Sequence, residues 1–201
     1  SSDNVIVATD DKRIENHCLD LNINVTQTPK ECLTGTDRVA EVAKKIKAEF
    51  YINVQGDEPL IDPNDIRKVI DAYVLEPSIN ICAMTKIKTS EDFFNSNIPK
   101  VVTDQDSRLL YISRAALPAS KDLKFSKAMK QVCIYALSPE ALSEFGISKK
   151  KTKNELIEDI EILRLLEKGY KVKMVQVSNS SIAVDVEEDL KKVLENLNEE
   201  L

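Results

Sequence analysis

Asp57 and Glu58 stand side by side at the end of the run Tyr51-Ile52-Asn53-Val54-Gln55-Gly56-Asp57-Glu58-Pro59. The first half of this run has the β-branched and aromatic character of a buried strand, and it then breaks at a glycine and a proline. Carboxylates at the C-terminal end of an α/β strand sit where such sheets hold ligands, because the backbone opens into a crevice there. Gln55 and Asp57 alternate and so can face the same side, Gly56 permits close backbone approach, and Pro59 stiffens the exit. The blander reading is a solvated turn, since Asp, Gly and Pro are ordinary turn formers.

Two more acidic clusters fall at strand-to-helix junctions: Asp10-Asp11, and Asp185 within Ala183-Val184-Asp185-Val186-Glu187-Glu188-Asp189. Asp185 also reads as the N-cap of a closing helix with an acidic first turn. Carboxylates converging on one crevice, in a chain with a single histidine (His17) and no CxxC spacing, suit a hard cation such as Mg²⁺. Mg²⁺ held by one or two carboxylates completes its shell with substrate phosphates, which points to a nucleotide substrate. Thr34-Gly35-Thr36-Asp37-Arg38 is a compact polar loop feeding a helix, and its hydroxyls, glycine and free amides could hold a base or a phosphate; a plain capped helix start would look the same. No GxGxxG and no GxxxxGK[ST] is present, against a dinucleotide dehydrogenase or a P-loop enzyme.

The elements that must position these groups alternate along the chain. Strands are expected at Asn4 to Asp10, Ile23 to Thr26, the Tyr51 run, Ile79 to Ile87, Lys100 to Asp104, Leu109 to Ser113, Gln131 to Ser138 and Lys171 to Val177. Helices are expected at Lys12 to Leu19 behind an Asp10 or Asp11 cap, Asp37 to Phe50, from Asp62-Pro63 through Tyr73, Ser90 to Asn95, Pro139 to Phe145, Asn154 to Lys168 and Glu187 to Leu201. Gly169 sits where a C-cap glycine belongs after the longest of them. The alternation predicts an α/β fold with a mostly parallel sheet and one antiparallel excursion. Val5 to Ala8 is expected to be a core strand, with almost nothing before it.

The 201 residues suffice for one good-sized domain. With 42% hydrophobic and 31% charged residues the composition is that of an ordinary globular protein. A net charge of −6 gives no nucleic-acid surface. No apolar run is long enough to span a bilayer and no signal peptide opens the chain, so a cytoplasmic protein is expected. Cys18, Cys32, Cys82 and Cys133 are scattered and read as structural thiols.

Thr34-Gly35-Thr36-Asp37-Arg38 followed by Asn53-Val54-Gln55-Gly56-Asp57-Glu58-Pro59 resembles the 3-deoxy-manno-octulosonate (Kdo) cytidylyltransferase family, the CMP-Kdo synthetases. Further matches occur in order: Phe94 to Asn97 with Lys100 to Val102, Tyr111 to Pro118, Ile134-Tyr135, Glu155 to Glu158 with Glu161 to Arg164, and Val184 to Leu190. The similarity runs from about Val5 to the C-terminus. It implies a Rossmann-like sheet of the nucleotide-diphospho-sugar transferase type, an antiparallel excursion used for dimerisation, and a homodimer. It also implies transfer of CMP from CTP to the anomeric hydroxyl of a 2-keto sugar acid, with release of pyrophosphate, for lipopolysaccharide or surface-glycan synthesis.

By that resemblance Asp57 and Asp185 are the catalytic residues and would hold Mg²⁺. Thr34, Gly35, Arg38 and Gln55 would face the cytidine side, and Arg114, Gln131, Tyr135 and Glu161 the sugar acid. The departures concern the sugar side and the start. Gln131 stands where the family usually has His, Cys133 and Ala136 where it has Gly, Ile162 where it has Gln, and Cys32 and Thr34 where it has His and Ser. The family's opening strand and Arg/Ser/Lys triphosphate loop would precede residue 1 by roughly forty residues in that comparison. The expectation is a single cytidylyltransferase domain over 1–201 whose N-terminal unit is missing. Alternatives are a cytidylyltransferase for a sialic-acid-like sugar, and a non-catalytic nucleotide-binding module of the same fold.

Overall fold

The computed structural model describes residues 4–178, 182–184 and 186–199. The chain runs β1 (Val7–Thr9), α1 (Lys12–Asp20), β2 (Val25–Gln27), α2 (Gly35–Lys45), β3 (Tyr51–Val54), α3 (Pro63–Leu75), β4 (Asn80–Lys86), α4 (Ser90–Phe94), β5 (Lys100–Thr103) and β6 (Leu109–Ser113). It continues with β7 (Met129–Leu137), α5 (Pro139–Ile147), α6 (Lys153–Glu158), α7 (Leu163–Glu167), β8 (Val172–Gln176) and α8 (Glu187–Glu199). The caps follow local chemistry. Asp11, Thr34, Asp62, Thr89 and Ser138 each accept a backbone N–H from the helix they precede, and prolines occupy the first turns of α3 and α5.

This is an α/β fold around a central sheet. In the larger sheet β3, β4, β5 and β8 share one direction. Strand β7 runs against them, between β4 on one side and β3 and β5 on the other. The β5–β6 hairpin is antiparallel as well, so antiparallel pairing is not confined to one excursion and the described sheet is mixed, with β4–β8 its parallel pair; the hairpin turn reaches round to β8 through an Arg108–Lys173 bridge. Alternation along β4 and β7 builds two cores, because both faces of these strands are covered. Ile81, Ala83, Ile134 and Ala136 pack towards α3 with Val69 and Tyr73, whereas Cys82, Met84, Tyr135 and Leu137 pack on the other face with Phe145, Leu163 and Leu165.

Two expectations are corrected. The segment from Val5 to Ala8 is not a core strand: Val5 is 63% exposed, and among the described residues β1 pairs only with β2, in a separate two-stranded parallel sheet. The expected helix from Asn154 to Lys168 is broken. Asp159 takes a left-handed conformation (φ 51°), and Leu163, Arg164 and Leu165 then donate three residues back, to Ile160, Glu161 and Ile162. In an unbroken helix Glu155 and Arg164 would lie about 180° apart around the axis and roughly 13 Å apart along it. The break lets them form a buried ion pair instead. Gly169 does end this segment with φ +83°, and Tyr170 N–H bonds back to the Leu165 carbonyl.

Candidate active site

The C-terminal end of β3, the N-terminus of α2 and the α6–α7 break meet at one place. Thr34 caps α2, accepting from the Asp37 amide at 3.3 Å, and its hydroxyl donates to Asp37 Oδ2 at 2.5 Å. Asn53 donates from Nδ2 to Thr36 Oγ1 at 2.9 Å, tying β3 to α2. Glu161 gathers both sides: its Oε2 accepts the Thr36 amide at 3.0 Å, and its Oε1 accepts the Gln55 carboxamide. A side-chain carbon at position 35 would meet Gln55 Nε2 at 3.4 Å, so the helix start and the Gln55 carboxamide lie within van der Waals reach of each other. Burial pushes the Glu161 carboxyl up, while hydrogen bonding from Thr36 pulls the other way.

Beneath this cluster, Arg164 is fully buried. It donates to Asp37 at 2.8 and 3.3 Å and to Glu155 at 2.8 and 2.5 Å, with its guanidinium carbon 4.4 Å from the centre of the Phe145 ring. Burial works against the Arg164 charge, but Glu155 and Asp37 more than offset it and raise its pKa. Composition and motif reading did not single out Arg164 as a functional group. The sign that could have found it is an arginine among apolar Leu163, Leu165 and Leu166, where an unpaired cation would be costly.

The turn carrying Asp57 is anchored by its neighbours. Glu58, 7% exposed, accepts the Cys133 amide of β7 at 2.7 Å, which locks the turn to the sheet. Val184 N–H donates to the Asp57 carbonyl at 2.8 Å, so residues 182–184 reach this strand end. Asp185 itself lies outside the described residues. No helix among the described residues is long and apolar enough to cross a membrane.

Of the residues expected on the sugar side, Glu161 sits with Gln55 and Thr36 as described above, and the other three occupy two further places. Gln131 and Tyr135 are neighbours on β7: Gln131 Nε2 donates to Tyr135 Oη at 2.8 Å and lies 3.9 Å from Cys82 Sγ. Burial raises the Tyr135 hydroxyl well above the usual phenol range, with the Cys133 and Glu161 charges adding to it. Arg114 is elsewhere, at the end of β6. Its guanidinium donates to the carbonyls of Glu158 (2.5 Å), Ser96 (3.1 Å) and Asp159 (3.1 Å), so much of its fork is engaged in stapling the α6–α7 break to the α4–β5 connection. Lys100 nearby is fully buried and donates to three carbonyls, of Asn95, Ile98 and Arg114.

On the cytidine side, Thr34, Gly35 and Gln55 come together. Arg38 instead turns towards the β1–β2 sheet, donating to Thr28 Oγ1 at 2.9 Å and pairing with Asp10 at 2.9 Å. Asp10 and Asp11 are thereby accounted for, one as an ion-pair partner and one as the α1 cap. Ile162, expected to line the sugar pocket, is packed in the hydrophobic core at 1% exposure. The α6–α7 break rotates it inward.

A family model described as cytidylyltransferase matches residues 1–178. The 3-deoxy-manno-octulosonate cytidylyltransferase of Geobacter sulfurreducens is 40% identical over 205 residues, covering 96% of this chain and 82% of its own length. The protein of the same name from Protochlamydia amoebophila is 36% identical over 199 residues, covering 95% of this chain and 76% of its own. Among solved structures, CMP:2-keto-3-deoxy-manno-octonic acid synthetase complexed with CTP superposes with a TM-score of 0.89 at 30% identity, over 98% of this chain and 81% of that one. The inositol-1-phosphate CTP transferase of T. maritima, at 16% identity and a TM-score of 0.62 over 94% of this chain and 73% of that one, shares the fold.

Proposed function

The chain belongs to the 3-deoxy-manno-octulosonate cytidylyltransferase family, and from that premise we propose that it transfers CMP from CTP to Kdo. In this reaction the anomeric hydroxyl oxygen attacks the α-phosphorus, the bond from that phosphorus to the bridging oxygen breaks, and pyrophosphate leaves with the electron pair as the hydroxyl proton is released. The observation that carries the reading is the 2.8 Å bond from the Val184 amide to the Asp57 carbonyl. It joins the strand end to the segment that holds Asp185, which supports a site with two carboxylates converging on the reacting phosphate.

Such a donor set, two hard oxygen ligands without imidazole or thiolate, fits Mg²⁺. When bound, Mg²⁺ supplies charge neutralisation at the triphosphate and a lowered pKa for the attacking hydroxyl. The rest of the work is positioning. Gln55, its Nε2 held by Glu161, keeps its carboxamide oxygen for the nucleotide beside the N-terminus of α2. Gln131 and Tyr135 offer neutral hydrogen-bonding groups to the sugar hydroxyls. Arg114 keeps guanidinium hydrogens beyond those it gives to carbonyls, and these suit the sugar carboxylate.

A homodimer is part of the proposal. Leu110 on β6 is 59% exposed, and α6, tied to β6 through the Ser113–Glu158 hydrogen bond, exposes Leu156 and Ile157. Apolar side chains set together in this way favour burial against a second copy. A nucleoside triphosphate substrate and four free cysteines support a cytoplasmic setting, and a CMP-activated Kdo product suits surface-glycan synthesis.

Asp57→Asn tests the reading. Pyrophosphate release with CTP and Kdo should fall to background while far-ultraviolet circular dichroism is unchanged. A variant that keeps near-parental turnover refutes the assignment of Asp57.

A further inference from the structure

At the end of the sheet away from Asp57, a cavity of about 460 Å³ is lined by Glu49, Phe50, Tyr73, Pro77, Pro139 and Glu140. Phe50 leads into β3, Tyr73 lies near the end of α3, and Pro139 and Glu140 open α5. The four residues of β3, roughly 13 Å of strand, therefore stand between this cavity and the Gln55–Asp57 turn. It is a separate place from the proposed active site.

Three features of its wall belong together. Phe50 and Tyr73 stack with ring centroids 4.7 Å apart and planes 26° apart, giving an aromatic surface. Tyr73 is only 5% exposed, and its hydroxyl has no hydrogen-bond partner among the described residues. No described side-chain polar atom is both fully buried and unpartnered, so the Tyr73 hydroxyl keeps some accessible surface, at the cavity that Tyr73 lines. Glu49 and Glu140 flank it, and neither forms an ion pair with a described lysine or arginine.

Two carboxylates repel an anion. A bare divalent metal needs six or more oxygen ligands in a tight shell; the one further polar side chain of the lining, Ser138, is taken up as the α5 cap, and the rest of the wall is aromatic, proline and valine. A protonated amine with a short alkyl body matches all three features: carboxylates and a phenol oxygen for the N–H donors, and ring faces and prolines for the methylenes. We propose that this cavity is a binding site for a small organic ammonium ion of the alkylamine or diamine class, with its charge between Glu49 and Glu140 and its hydrogen bond to Tyr73 Oη.

Calorimetric titration of the intact protein with n-butylammonium and with 1,4-diaminobutane tests this, with 1-butanol as the uncharged counterpart. Both amines should bind at one site and butanol should not. Tyr73→Phe, which keeps the ring stack, and Glu140→Gln should each weaken binding by about threefold or more, and Glu49→Gln with Glu140→Gln should remove it. All these variants should keep the parental melting temperature and the parental rate of CMP transfer, because none touches the Asp57 site. Amine binding that survives the double substitution, butanol binding as well as the amines, or no amine binding to the intact protein overturns the proposal. So does tighter binding of N-acetyl-lysine amide than of either amine, which would make a protein lysine the occupant.

Discussion

Replacing Arg164 with methionine isolates the ion network beneath the nucleotide-side cluster. Methionine fills much of the arginine stem but supplies none of its four hydrogen bonds to Asp37 and Glu155. Those two carboxylates are 4% and 0% exposed, so water cannot replace the guanidinium. Breaking a buried pair by removing one partner costs about 3–5 kcal/mol, since the charge left behind stays desolvated. Domains of this kind are stable by only about 5–15 kcal/mol, so the loss is a large share of the total. Urea unfolding followed by circular dichroism should show a lower midpoint, and the melting temperature should fall by roughly 6–20 °C. Acid should narrow the gap between variant and parent, because a proton neutralises a buried carboxylate that has lost its cation. Adding Asp37→Asn and Glu155→Gln to Arg164→Met should recover most of the stability. An Arg164→Met protein within about 1 kcal/mol of the parent would refute the reasoning, because Asp37 and Glu155 would then have to be satisfied without it.

Glu161→Ala leaves the Thr36 amide and the Gln55 carboxamide without their acceptor, so the KM for CTP should rise severalfold while pyrophosphate release stays measurable. Glu161→Gln should be tolerated. The Glu161 carboxyl is raised in the folded state by burial, so its ionised form costs stability as pH rises from the unfolded value through the folded one. In denaturant titrations at stepwise pH, the Gln variant should therefore gain on the parent across that window and hold its advantage above it. Ile162→Gln should lower the melting temperature by roughly 5–10 °C without improving Kdo use, because it places an unpartnered carboxamide in the core; a gain in kcat/KM for Kdo would count against the buried placement. Cys82 and Cys133, whose thiols burial holds above the usual range, should alkylate slowly in the native protein and rapidly in urea, as peptide mass mapping would show.

Much of this protein is decided locally. Thr34, Asp62 and Ser138 have the side chains that cap helices, Pro63 and Pro139 fit first turns, and Gly169 tolerates the positive φ that ends α7, so these boundaries are legible from residue types alone. The strand Tyr51–Val54 and the carboxylate turn after it are legible for the same reason, and so is the family. What sequence could not supply depends on groups far apart in the chain. An apolar period fits one long helix over 154–168, and only the pull of Asp37 on Arg164, across 127 residues, together with Glu155 on the other side of the break, makes the broken form the one that satisfies the buried charges. The same break turns Ile162 into the core and brings Glu161 to Gln55 and Thr36. Arg114 reads from sequence as a carboxylate fork, but whether an arginine meets a ligand or a backbone carbonyl is settled by which chain ends converge on it. Propensity acts within a few residues; the satisfaction of buried polar groups is a property of the whole fold, and it is there that tertiary structure decided the site.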